Sequence, residues 1–157
     1  METIDKTTEI LNDLLKINND RIVGYEKASD EASDLDLKTL FRGMADESRK
    51  IANELTLEIN KAGGEPASGS TTSSGKIYRV WMDVKTTFTG KDRQAVLNSC
   101  EYGEDAAQTA YNDALSDSDL SAEYRELVLR QQKTLKTSHD VIKNYRDAQA
   151  KLNKAFK

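Results

Sequence analysis

A single proline, Pro66, stands in a chain of 157 residues. Proline interrupts helices because it has no amide donor and clashes with the preceding turn. A chain nearly free of it can run in very long helices, and the apolar spacing predicts that it does. Ile4, Leu11, Leu14, Leu15, Ile22 and Tyr25 recur at helical intervals over residues 4–29. Leu37, Leu40, Phe41, Met44, Ile51, Leu55 and Ile59 mark a second helix, which ends at Gly63-Gly64, where glycine accepts the left-handed conformation of a helix stop. A third runs through Val96, Leu97, Cys100, Ala107, Tyr111 and Leu115, and a fourth through Tyr124, Leu127, Val128, Leu135, Ile142, Tyr145 and Leu152.

Punctuation between the helices sets the topology. The polar stretch from Ser29 to Asp36 reads as one turn, with Ser33 or Asp34 as the cap of the next helix, and residues 116–121 read as another. Short turns make consecutive helices antiparallel neighbours. Residues 63–75 (GGEPASGSTTSSG) form a flexible linker. Ile77, Val80, Trp81, Val84 and Phe88 then mark a short amphipathic helix over about 76–88, with Trp81 as its anchor on the bundle. The expected fold is therefore all-α: one domain over residues 1–157, a four-helix bundle of two antiparallel hairpins. Its long middle connection suits the ferritin-like plan, with a simple up-down bundle carrying the short helix as a lid as the alternative.

Composition narrows the function classes. Charged residues make up 32% of the chain and both signs are interspersed, with a net charge of −4. No basic stripe marks a nucleic-acid surface. No apolar run approaches the ~20 residues that span a bilayer. No secretory signal is visible in residues 1–20, so the expected location is the cytoplasm. Cys100 is the sole cysteine, which removes disulfides and cysteine-based zinc sites; with no neighbouring base it reads as a small buried hydrophobe. No segment carries a complete catalytic signature, so the chain reads as a non-enzyme with no resident cofactor.

The informative residues are polar ones on apolar stripes. Glu47 lies between Met44 and Ile51, Glu54 one heptad later, Glu101 four after Leu97, Glu104 between Cys100 and Ala107, Glu26 four after Ile22, and His139 between Leu135 and Ile142. Carboxylates on facing helices with Glu-x-x-His pairs build di-iron centres. Here Glu47 is followed three later by Lys50, and Lys136 precedes His139 by three, so both pairs are incomplete. Counted from the turns, Glu47 and Glu104 stand level, and the first helix offers Asn18 or Asn19 at that height. Glu47, Glu101, Glu104 and His139 are the metal candidates, for iron or manganese. The competing reading pairs the glutamates with Lys or Arg and makes His139 a hydrogen-bonded boundary residue. Gly24, Gly43 and Gly103 inside helices suggest close helix approach.

Several short motifs together resemble a bacterial family of ferritin-like four-helix-bundle proteins known as a domain of unknown function. They are Gly24-Tyr25, Gly63-Gly64-Glu65-Pro66, Trp81-Met82-Asp83, Gly90-Lys91-Asp92, Cys100-Glu101-Tyr102-Gly103-Glu104-Asp105, Ala110-Tyr111 and His139-Asp140. The resemblance runs from Thr7 to Asp147. It implies a ferritin-like fold and cytoplasmic, often stress-associated proteins, and it supplies no catalytic residues. A second apolar row on the first helix, Ile10, Leu14 and Ile17, suggests a homodimer or a protein partner. A small-molecule pocket beside Trp81 is a weaker alternative.

Overall fold

The computed structural model describes residues 2–70 and 91–155. Four α-helices make it up: α1 (Glu2–Glu31), α2 (Leu35–Lys61), α3 (Lys91–Ser116) and α4 (Ala122–Ala155). No strand occurs among the described residues. The short helix at 76–88, Trp81 and its neighbouring pocket, Gly90 and residues 71–75 of the linker lie outside them.

α1 packs on α2, α3 on α4, and α1 on α3. Side chains supply the directions. Along α1, Thr7, Asn18 and Arg21 meet Asp119, Tyr111 and Glu104 in turn, so α1 and α3 are antiparallel. Along α2, Glu47 and Glu54 meet Ser138 and Gln131, so α2 and α4 are antiparallel too. It follows that α2 and α3 run the same way. Lys61 therefore ends one helix at the opposite end of the bundle from Lys91, and Arg93 sits beside Asp34 and Asp36 at the start of α2.

The helix ends obey local rules, with corrections. After α2, Gly64 N–H donates to Ile59 O at 2.9 Å and Gly63 N–H to Asn60 O at 3.0 Å. Gly63 has φ 81°, the left-handed stop expected of it. A side chain on Gly64 would collide with Thr8, so the chain leaves α2 pressed against α1. The first turn is shorter than the sequence suggests: α1 continues to Glu31, because Ser29 and Lys38 exchange hydrogen bonds across the hairpin. Asp34 is the N-cap residue, but its carboxylate turns to Arg93 and makes no cap bond. Arg125 donates to the carbonyls of Leu115, Asp117 and Leu120 and closes the end of α3.

The described part of the linker is held, not free. Asn12 binds Glu65 O at 3.0 Å and accepts from Ala67 N–H at 2.8 Å, and Asn19 donates to Ser70 O at 2.8 Å. Amides on the face of α1 thus satisfy backbone groups that a flexible segment would leave to water.

Apolar packing falls into two halves. One gathers Tyr25, Ala28, Leu37, Phe41, Leu97, Cys100 and Ile142 near the α1–α2 turn. The other gathers Leu11, Leu15, Leu55, Ile59, Tyr111, Val128 and Leu135 towards the opposite end. Leu14 and Ile17, expected to serve a second subunit, are buried within the single chain. Gly43 is exposed with open space where a Cβ would stand, so close helix approach does not explain it. Leu152 sits on the stripe of α4 yet is 51% exposed.

Candidate functional site

A polar layer separates the two apolar halves. Its centre is Arg21 on α1, seven residues after Leu14 and four before Tyr25, hence on the buried face. Its side chain is 1% exposed and that of Glu104 0%. Arg21 Nη2 donates to Glu104 Oε1 at 2.7 Å and Nε to the same oxygen at 3.2 Å. The Tyr25 hydroxyl donates to that oxygen as well. Nη1 donates to Ser48 Oγ and lies 3.7 Å from Glu47 Oε1. The guanidinium carbon stands 5.3 Å from the Tyr25 ring centroid. Glu104 Oε2 is buried without a hydrogen-bond partner.

Burial opposes the charge on Arg21, but Glu104, then Tyr25 and Glu47, outweigh it and hold the guanidinium proton above its usual range. The cation is therefore permanent. Burial first, and then the Glu104 carboxylate, push the Tyr25 phenol and the Cys100 thiol well above their ordinary values. Cys100 stays a thiol, buried as the sequence suggests, and thiols are poor nucleophiles.

Glu47 and Glu104 do stand level, as the sequence predicts, and they meet at Arg21. Ser138 Oγ donates to Glu47 Oε1 at 2.6 Å, so α4 joins the layer. Arg21 escaped sequence reading because Ile22 beside it competes for the same stripe. Its spacing from Asn18 and Tyr25 was the available signal.

Glu101 and His139 come together elsewhere, on the α3–α4 hairpin. Glu101, Asp105 and His139 each place one ligand-type atom within 4.8 Å of the others. His139 Nε2 is 2.5 Å from Asp105 Oδ1, and Nδ1 is 3.1 Å from Asp140 Oδ1. The His139 side chain is 14% exposed. Burial disfavours its charged form, but the hydrogen bonds to Asp140 and Asp105 prevail and raise its pKa. Arg146 pairs with Glu101. Asp105 was missed because it sits off the apolar stripe of α3, and only the register against α4 gives it a role.

Three ligands at ~2.1 Å from one ion lie at most about 4.2 Å apart. The ligand atoms of the trio spread to within 4.8 Å, wider than that limit, and Arg146 already pairs with Glu101. The other glutamates that the sequence places on apolar stripes lie at the bundle surface and are ion-paired: Glu26 with Arg49, and Glu54 with Arg130.

No helix among the described residues is long and apolar enough to cross a membrane. No curated protein matches the chain. The model of one family matches residues 6–117, which take in most of α1, all of α2 and α3 and thus Arg21, Glu47, Glu101 and Glu104, while α4 with His139 follows the matched stretch. By that match the chain belongs to the family described as Domain of unknown function (DUF2383).

Proposed function

We propose that this chain is a ferritin-like bundle whose central charged layer is structural, and that it acts by binding, to a second copy or to a protein partner, and not by chemistry. One observation carries the reading. Arg21, a cation that cannot be deprotonated, occupies the bundle interior against Glu104 and Glu47. In ferritin-like metalloproteins, inward carboxylates of this kind need metal ions to balance them. Here the protein provides that charge, and a metal at the same carboxylates would meet a buried guanidinium. Support for the ferritin-like plan comes from α2 and α3 running parallel, which requires one long connection.

A cytoplasmic, stress-associated role in bacteria and a homodimeric state belong to the same reading. With Leu14 and Ile17 covered, the exposed large apolar side chains among the described residues are Leu35, Leu57, Tyr102, Leu129 and Leu152. Light scattering over a wide concentration range tests the dimer: twice the chain mass is expected at high concentration, and a constant single-chain mass contradicts it.

A second reading rests on the trio of Glu101, Asp105 and His139. Two carboxylates and an imidazole suit iron(II), manganese(II) or zinc(II). Stoichiometric uptake that disappears in His139→Ala would establish this site, and uptake unchanged by that substitution would refute it.

A further inference from the structure

The buried layer contains five successive hydrogen bonds that all point the same way. Arg21 Nη1 donates to Ser48 Oγ. Ser48 Oγ donates to Asn18 Oδ1 at 3.0 Å, and Asn18 Nδ2 donates to Tyr111 Oη at 3.0 Å. Tyr111 Oη donates to Gln131 Oε1 at 2.8 Å, and Gln131 Nε2 donates to Glu54 Oε1 at 2.8 Å. The chain starts in the first hairpin, passes through Tyr111 of α3 and Gln131 of α4, and returns to the first hairpin at Glu54. It visits all four helices.

The chemistry of its ends sets its direction. Arginine only donates and an ionised glutamate only accepts, whereas Ser48, Asn18, Tyr111 and Gln131 can do both. The Gln131 amide is oriented by Glu54, and the Asn18 amide by Leu14 O as well, to which Nδ2 also donates at 2.9 Å, so neither orientation needs observed hydrogens. Opposite charges at the two ends polarise every link in the same sense.

We infer that this chain is a polarity-matched latch: the donor at position 21 and the acceptor at position 54 are read against each other across the bundle, and the two hairpins close fully only when the ends are of opposite kind. With two donors or two acceptors as ends, one buried link faces like against like, and an unmet buried polar group is costly. Sliding one hairpin by a turn would also carry Tyr111 away from Asn18 and Gln131 away from Glu54. The latch thus selects one register of the hairpins, whatever the protein binds.

The test is urea unfolding of the full chain in an Arg130→Gln background, which removes the direct ion pair between Arg130 and Glu54. Glu54→Gln retains an acceptor and is expected to change the unfolding constant less than about threefold, whereas Glu54→Lys supplies a donor and is expected to raise it about tenfold or more. Asn18→Asp puts an acceptor-only group in mid-chain and should also destabilise. Combined with Glu54→Lys it lets the links run in reverse, so the double variant should be about tenfold more stable than the sum of the singles. Additive losses overturn the latch, as does Glu54→Gln proving as harmful as Glu54→Lys. Should the Asn18 variants not fold, the two Glu54 variants decide the matter alone.

Discussion

Glu104 and its neighbour Asp105 share one stretch of α3 yet have opposite fates. Helical phase turns Glu104 into the bundle, where the side chain is 0% exposed, and leaves Asp105 at the surface with 61% of its side chain exposed. A fully buried carboxylate requires a countercharge that never leaves, and Arg21 supplies one. A carboxylate near water can share a countercharge that comes and goes: the proton on His139, a neighbouring arginine or a metal ion. Burial, more than residue type, separates a structural charge from an exchangeable one.

Breaking the buried pair gives the largest expected effect. Arg21→Met leaves the buried Glu104 without its ion-pair partner, and should cost about 3–5 kcal/mol in urea unfolding. Adding Glu104→Leu should recover most of that loss, because a matched apolar pair of similar volume is close to neutral. If Arg21→Met alone proves as stable as the wild type, the pair is not what holds the layer together.

The α3–α4 trio should respond to ligand more than to mutation. His139→Gln should cost less than about 1 kcal/mol, because its partners are largely exposed. Zinc(II) at about 100 times its dissociation constant should stabilise the wild type by about 2.7 kcal/mol and leave His139→Gln unmoved. Equal stabilisation of both proteins in thermal melts would place the metal elsewhere.

The smallest effect lies at the start of α2. Hydrogen bonds from Arg93 hold the Asp36 carboxyl below its ordinary value of 3.8. Because the folded value is lower than the unfolded one, the contribution is fully present above pH 3.8 and fades as pH falls through the folded value. With Asp36 half exposed, solvent screening limits it to about 0.5 kcal/mol. Arg93→Gln should therefore flatten the acid limb of stability between pH 4 and 2, and an unchanged limb would assign acid sensitivity to other carboxylates.

These contrasts also mark what could be read in the sequence. Glu104 was legible as inward because Cys100 and Ala107 bracket it at helical spacing, and its level with Glu47 followed from counting residues to the turns. The stop at Gly63 and the burial of Cys100 and Tyr111 followed from local rules alone. Arg21 was not legible, since hydropathy assigns an arginine to solvent and Ile22 offers a better apolar phase; only the glutamates on other helices make its burial favourable. Asp105 likewise depends on the register of α3 against α4, which no local pattern encodes. Residues 64–70 looked free because their composition is that of a linker, whereas Asn12 and Asn19, far away in sequence, tie them down.

In the reading proposed above, Arg21 stands in place of a metal at the buried carboxylates. Metal analysis of the natively purified His139→Ala protein, after exposure to iron(II) and manganese(II), tests it most directly, because that substitution removes the α3–α4 site while leaving Glu47, Glu104 and Arg21 intact. No stoichiometric metal should remain. A tightly held iron or manganese ion in that variant, lost on adding Glu104→Gln, would contradict the account.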